Sequence, residues 1–276
     1  MDNVSAASIT SMRCGGVVAR VLEPDDVREL AGLVGGLETY HVLGAGTNTI
    51  FADDTIRTPV IRLGRTFDFI EPVAGGIRAG GATPVKRILS HCIRTGLTGL
   101  EFMAGIPGTL GGAVYMNAGT ANRGIMEAVD SLEIVDKDGL RTVAPGDVGY
   151  GYRSGGIPPN AVVTSCVLRL ELSTPGRVRS LVLEHLGRRR TQPHEPSAGS
   201  VFKNPPQAPA GALIDQAGLK GLRAGGAMIS VKHANFIVNM GGAKTSDITR
   251  LIDIVKNTVK RRFGVDLVEE VRIIGH

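Results

Sequence analysis

The chain has 276 residues, 42% hydrophobic and 21% charged, enough for two modest domains with a buried core. No stretch approaches the ~18 apolar residues of a membrane span, and Cys14, Cys92 and Cys166 stand too far apart for a disulfide framework or a zinc knuckle, which points to reduced thiols in the cytoplasm. A net charge of +5 suits a site for phosphorylated ligands; nucleic acid is the poorer explanation, because the cations are scattered and only four Tyr, seven Phe and no Trp are available for stacking.

Residues 1–10 are small and polar, without a basic-then-apolar pattern, and read as a frayed end. Apolar spacing through Val27, Leu30, Ala31 and Val34 predicts a helix over 25–34 that Gly35-Gly36 stops. A strand over 40–43 runs into Gly44-Ala45-Gly46-Thr47-Asn48. Further strands are expected over 60–63, 77–79, 132–135 and 162–172, with Asp138-Gly139 turning the chain back into 140–143.

Thr83-Pro84 reads as the cap and first turn of a second helix. It buries Val85, Ile88, Leu89, Cys92 and Ile93 and ends at Gly96, so Cys92 is core and not a nucleophile. Past Pro175 one helix runs through Val178, Leu181, Val182 and Leu186 to Arg188–Arg190. Another follows Thr245 or Ser246, with Ile248, Leu251, Ile252, Val255 and Val259 on one face and Gly264 at its end. This order of elements favours α+β over an alternating doubly wound sheet, with a domain boundary near 173–177.

Two segments carry the chemistry. Gly105-Ile106-Pro107-Gly108-Thr109-Leu110-Gly111-Gly112, followed by Asn117-Ala118-Gly119, lets backbone approach a large anionic ligand. Gly44-x-Gly46 lacks the third glycine and following helix of a dinucleotide fingerprint, and on its own reads as a tight turn. Together with Gly80-Gly81 these turns can converge on one pyrophosphate; glycines serving only turns is the alternative. The second segment, 197–205, sets Ser200, Lys203 and Asn204 within five residues, a mix suited to orienting a polar substrate and moving a proton. No Asp and His accompany Ser200 in a hydrolase pattern.

In order along the chain stand Leu43-Gly-Ala-Gly-Thr-Asn48, 105–119, Tyr152-Arg153, 197–205, Leu213-Ile-Asp-Gln-Ala-Gly-Leu-Lys-Gly221 and Glu270-Val-Arg-Ile-Ile-Gly275. With these six motifs the chain, from about residue 12 to 275, closely resembles the UDP-N-acetylenolpyruvoylglucosamine reductases. With no long insertion between Arg153 and Ser200, it is similar to their compact subtype. The resemblance implies a flexible 1–11 and an FAD-binding domain over 12–174 of the vanillyl-alcohol-oxidase/p-cresol-methylhydroxylase type, built of two α/β subdomains. It also implies a smaller α+β substrate domain over 175–276.

It further implies cofactor contacts from Gly44, Ala45, Gly46, Thr47 and Asn48, and from Gly105, Ile106, Pro107, Gly108, Thr109, Gly111, Gly112, Asn117 and Gly119. The implied reaction is reduction of UDP-N-acetylglucosamine enolpyruvate by NADPH in peptidoglycan precursor synthesis, by a cytoplasmic monomer binding no nucleic acid and entering no membrane. Arg153 and Glu270 would stabilise the enolate-like charge and Ser200 would donate the proton, while Tyr152, Lys203 and Asn204 contact substrate. Glu270 should be protonated or share a proton; Glu269, next to it, is the residue it is most easily confused with.

Two other readings stay open: an FAD oxidase of the same fold group, and a catalytically silent flavin or UDP-sugar binding protein. The resemblance departs at Gly155, where the family usually has serine, at Thr47, which replaces a serine, and loosely at residues 12–16. Arg188–Arg190 reads as a solvated helix end or a phosphate contact, and His233 as a structural hydrogen-bonder or a pocket residue. The histidines have no ligand spacing, so no metal is expected.

Overall fold

Helices form where apolar residues recur at three- and four-residue spacing, and their ends follow local capping. In the computed structural model, which describes residues 1–275, the helix Val27–Gly36 starts at Asp26, whose carboxylate accepts from Glu29 N–H at 2.8 Å. It buries Leu30 and Val34 and runs through Gly35-Gly36 to a cap at Leu37, so the glycine pair belongs to the last turn and does not stop the helix. The helix Val85–Thr95 buries Val85, Ile88, Leu89 and Cys92 and ends on Gly96 in the left-handed conformation. Its cap position is Pro84. Thr83, expected as the cap, donates instead from Oγ1 to the Phe69 carbonyl at 2.9 Å. The C-terminal helix Thr245–Phe263 buries Ile248, Leu251, Ile252, Val255 and Val259 as the periodicity requires, and Gly264 ends it.

The chain is α+β and divides into two units. One comprises residues 1–21, 46–59 and 191 onward; the other comprises 22–45 and 60–190. In the second unit a five-stranded antiparallel sheet has the order Gly139–Val143, Val129–Asp136, Val162–Arg169, Gly76–Gly80, Ile70–Val73. The expected long strand over 162–172 is broken after Arg169, and Glu171–Leu172 pairs with Leu97–Thr98. One face of the sheet and the helix Val85–Thr95 share a core that includes Ile77, Ile88, Cys92, Leu132, Ile134 and Leu168. A second cluster joins Leu30, Val34, Ile61, Phe67, Val135 and Val162. Burial pushes the Cys92 thiol up to about 12 and raises that of Cys166, so both are inert core residues.

In the first unit the antiparallel order is Ser197–Ser200, Phe236–Asn239, Ala227–Ile229, Arg223–Ala224. Thr49–Phe51 and Arg272–Ile274 pair in parallel. Met12, Cys14 and Ile50 join Ile214, Ile248, Leu251 and Val255 in one core.

These groupings differ from the domains expected at 1–11, 12–174 and 175–276, whose last residue, His276, lies outside the described residues. Residues 1–11 include the strand Asp2–Ser5, paired with Val17–Leu22, and the helix Ala6–Ile9. Apolar packing of residues 12–14 and 50 places them with the C-terminal elements. The helix Pro175–Arg188 buries Val178 and Val182 in the core of the second unit, which moves the boundary to 190/191.

Candidate active site

In the second unit the glycine turns close on one another. A Cβ on Gly44 would stand 2.8 Å from Thr109 Oγ1 and 3.7 Å from Gly112 Cα; one on Gly111 would stand 3.1 Å from both the Gly81 and Val163 carbonyl oxygens. Gly111 N–H donates to Gly81 O at 2.9 Å, and Leu110 N–H to Thr83 O at 2.8 Å. Gly81 and Gly111 therefore meet backbone to backbone, and Gly44 stands against them across the Thr109 hydroxyl, glycine turns of the kind that let backbone approach a bulky anionic cofactor. Gly108 reaches this position at φ +135° while its carbonyl accepts from Val85 N–H, and Thr109 caps the helix Leu110–Tyr115. Ile106 packs against the core, while Gly105 and Pro107 are exposed at the loop tip.

The loop 44–48 crosses from one unit to the other after the exposed Ala45. Gly46 is buried at φ +65°, and a Cβ there would stand 2.2 Å from the Ile9 carbonyl oxygen. Ser11 fastens this turn: its N–H donates to Gly46 O at 3.0 Å and its Oγ to Ser197 O at 2.6 Å. Ser11 ends the segment expected to be flexible, and a lone serine there carries no local sign of a partner 186 residues away. Thr47 and Asn48 follow in the same unit, and Asn48 Nδ2 donates to the Glu270 carbonyl at 3.0 Å.

Arg153 sits in a tight turn. Gly151 and Ser154 exchange backbone bonds of 2.8 and 3.1 Å, leaving Tyr152 and Arg153 at the tip, with Arg153 at φ +55°. Its Nη1 donates to Thr120 O at 3.3 Å and its guanidinium lies over the Tyr152 ring, 4.8 Å from the centroid. Asn117, expected beside the cofactor, is buried and turns its amide inward. Nδ2 donates to Gly151 O at 2.8 Å and Oδ1 accepts from Met126 N–H at 3.0 Å. It therefore holds the turn that carries Arg153. Gly119 is buried at the base of the hairpin that presents Thr120, its Cα packed so that a Cβ would stand 2.0 Å from Arg123 O.

Gly155 explains its own departure from the family serine. Its N–H donates to Tyr115 O at 2.9 Å, and a Cβ would stand 2.0 Å from Val114 O. No side chain fits there.

In the first unit the backbone brings Ser200 and Glu270 together. Glu270 N–H donates to Val201 O at 2.8 Å, and Lys203 N–H to Val268 O at 2.9 Å. Asn235 holds the other side of 200–203: its carbonyl accepts from Val201 N–H, its Oδ1 from Phe202 N–H, and its Nδ2 donates to Phe202 O. Gly199 at φ +77° lies in the irregularity between Ser197, paired with Val238, and Ser200, paired with Phe236. Both Ser200 and Glu270 are half-buried. Glu269 is held by Lys256 Nζ at 2.7 Å. Asn204 Oδ1 accepts from Ala210 N–H at 3.0 Å, at the start of Ala210–Gln216.

His233 packs edge-on to Phe236, and its Nδ1 accepts from Asn235 N–H at 3.3 Å. Burial, then the nearby Lys220 charge, hold its pKa below the usual imidazole value. Among the described residues, no group of three or more His, Cys, Asp or Glu side chains is placed to hold a metal, and no helix is long and apolar enough to cross a membrane.

Residues 17–144 match the family model described as FAD binding domain, and residues 192–274 that of the UDP-N-acetylenolpyruvoylglucosamine reductase C-terminal domain. The chain is 39% identical over 272 residues to UDP-N-acetylenolpyruvoylglucosamine reductase of Syntrophotalea carbinolica, covering 96% of this chain and 91% of that one. It is 42% identical over 275 residues to UDP-N-acetylenolpyruvoylglucosamine reductase 2 of Symbiobacterium thermophilum, covering 97% and 89%. The crystal structure of the reductase from Thermus caldophilus superposes with a TM-score of 0.89 at 34% identity, over 99% of this chain and 98% of that one. On this near full-length similarity, the chain belongs to the UDP-N-acetylenolpyruvoylglucosamine reductase family.

Proposed function

We propose that the chain reduces UDP-N-acetylglucosamine enolpyruvate to UDP-N-acetylmuramate, with FAD as cofactor and NADPH as reductant, in cytoplasmic synthesis of peptidoglycan precursors. The observation that carries this reading is identity near 40% to relatives named for the reductase, over almost the whole chain. FAD, reduced by NADPH, would supply the hydride for the enolpyruvyl β-carbon. The protein's own part is to manage the negative charge that then builds at the α-carbon and carboxylate.

Arg153 grips the carboxylate through the paired N–H donors of its planar guanidinium. The turn fixed by Asn117 aims it. Ser200 delivers a proton to the α-carbon, and Glu270, tied to the same backbone segment through Val201, shares a proton with the developing carboxylate charge. Tyr152, Lys203 and Asn204 orient the UDP-sugar. Gly44–Asn48, Gly105–Thr109, Gly111, Gly112 and Gly119 would hold FAD, with Asn117 acting through the Arg153 turn. The chain works as a monomer.

Match of residues 192–274 to the reductase C-terminal model supports a reductase over an oxidase of the same fold group. Retention of Arg153, Ser200 and Glu270 supports catalysis over silent binding. Anaerobic addition of NADPH, then of the enolpyruvyl sugar, tests the reading: a flavin spectrum that bleaches and returns supports it. Recovery only with oxygen points to a different substrate, and a protein that takes up no FAD overturns it.

A further inference from the structure

The strand Ser197–Ser200 ends on Ser200, and the pairing behind that residue is irregular: the strand advances from Ser197 to Ser200 while its partner advances only from Val238 to Phe236. Past Ser200 the regular ladder stops, and a side chain takes over. Asn235 is buried, and its carboxamide faces both polar groups of one residue. Oδ1 accepts from Phe202 N–H at 3.0 Å, and Nδ2 donates to Phe202 O at 2.8 Å. The Asn235 carbonyl accepts from Val201 N–H at 2.8 Å, and its N–H donates to His233 Nδ1 at 3.3 Å. Every polar group of Asn235 is therefore engaged, and all but its N–H are spent on the two residues that follow Ser200. Residues 268–270 hold the opposite edge of this segment, through Val201 O to Glu270 N–H and Lys203 N–H to Val268 O.

We propose that Asn235 is a positioning residue for proton transfer, which sets Ser200 against Glu270 by standing in for a strand partner at Phe202. The inference rests on the assignment of Ser200 as proton donor. A peptide N–H and C=O that face the same way need an acceptor and a donor side by side, and a carboxamide supplies both on one short stem. A carboxylate lacks the donor, an aliphatic side chain lacks both, and burial makes either unpaired Phe202 group costly. The serine hydroxyl is carried on a single short side chain, so its reach is set by the backbone beneath it. A displacement of about 1 Å at a reacting group can cost roughly 10²-fold in rate. With the ladder irregular behind Ser200, that backbone is fixed from the far side, by Asn235 and by residues 268–270.

Asn235→Ala removes both side-chain bonds, and Asn235→Asp keeps the acceptor but offers the donor only when its carboxyl is protonated. Both are followed by stopped flow as FAD-loaded full chains. At saturating enolpyruvyl sugar, flavin reoxidation should be roughly 10- to 100-fold slower in Asn235→Ala. The half-saturating sugar concentration should change much less, because Lys203 keeps its bond to Val268, and flavin bleaching by NADPH should be unchanged. In Asn235→Asp the reoxidation rate, taken as a ratio to the wild type at each pH, should climb towards one as pH falls and the donor returns. The ratio cancels the titration of His233 and of every other group the two proteins share. Amide exchange at Phe202 should quicken in Asn235→Ala. A lower melting temperature with wild-type reoxidation would make Asn235 a structural residue only. Equal losses in both half-reactions, a loss confined to half-saturation, or a pH-independent ratio in Asn235→Asp would each overturn the proposal. Should Asn235→Ala fail to fold, Asn235→Asp carries the test alone. The wild type separates the two assignments: if the sugar fails to reoxidise its flavin, the assigned reaction falls and the positioning role with it. Reoxidation at the same rate in the wild type and both variants removes the positioning role alone.

Discussion

The side-chain amide of Asn117 spans 34 residues of sequence to the Gly151 carbonyl, a 2.8 Å bond that fixes the turn bearing Arg153. Asn117 sits at φ +42°, a region asparagine tolerates, and Arg153, inside the turn, sits at φ +55°. For Arg153 that left-handed backbone costs about 1–2 kcal/mol. Asn117→Ala also leaves the Met126 N–H without its acceptor, so stability should fall by about 1–3 kcal/mol. With the turn loosened, KM for the enolpyruvyl sugar should rise while flavin reduction by NADPH stays near normal. Calorimetric melting and the separated half-reactions read the two effects, and an unchanged KM would leave Asn117 a stability residue only.

Ser200→Ala should leave flavin reduction intact and slow flavin reoxidation by the enolpyruvyl sugar by about 10²–10⁴-fold, the range for a lost general acid. Glu270→Gln should injure the same half-reaction. Glu269→Gln is the control, since Glu269 is engaged with Lys256 in a partly exposed pair worth at most ~1 kcal/mol. Stopped-flow traces in which both half-reactions of Ser200→Ala slowed equally would remove it as the specific proton donor. Normal reoxidation in Glu270→Gln with slow reoxidation in Glu269→Gln would exchange the two glutamates.

Restoring the family serine at residue 155 should damage the protein. The added Cβ would press on the Val114 carbonyl oxygen from 2.0 Å, with Tyr115 O at 3.0 Å, and backbone cannot swing aside as a side-chain tip does. Gly155→Ser should lower stability by about 1–3 kcal/mol or more and leave turnover no higher. A faster enzyme of equal melting temperature would show that the loop accommodates the hydroxyl after all.

His233 adds an acid limb to the stability profile. Its folded pKa lies below the usual imidazole value, lowered first by burial and then by Lys220. Above the unfolded pKa both states hold neutral imidazole and the group contributes no slope. As pH falls below ~6.5 the unfolded chain takes up a proton that the native state refuses, so stability declines until the folded pKa is passed. Replacing the ring by Asn should flatten that decline between pH 6.5 and 5 in denaturant titrations. Parallel curves for the two proteins would assign the acid limb to other groups.

The sequence made the helices readable because each buries one stripe: Ile248 to Val259 recur at helical spacing, and Gly96 and Gly264 end their helices in the left-handed form. The glycine turns were legible too, since the Gly81 and Gly111 backbones approach as close packing without side chains requires, and Gly44 leaves room for the Thr109 hydroxyl. Other features leave no local mark. Thr83 looks like a helix cap until the Phe69 carbonyl takes its hydroxyl. Asn117 looks like a ligand contact until its two long-range partners are known. Ser11 and Asn235 act on backbone 186 and 33 residues away, distances at which no spacing rule operates. Glu269 and Glu270 could be told apart only by motif position; Lys256 adds a physical distinction.

Residues 1–21 share a unit with those from 191 onward, and the whole of 60–190 lies between them in the chain. On the ribosome this imposes an order. The intervening unit has all its strands and both its apolar clusters in hand once residue 190 has emerged, and it can mature at once. Met12, Cys14 and Ile50 must wait for Ile248, Leu251 and Val255, made ~10–50 s later at about 5–20 residues per second. The early segments therefore spend that interval with apolar side chains uncovered, the period in which nascent chains recruit chaperones or aggregate.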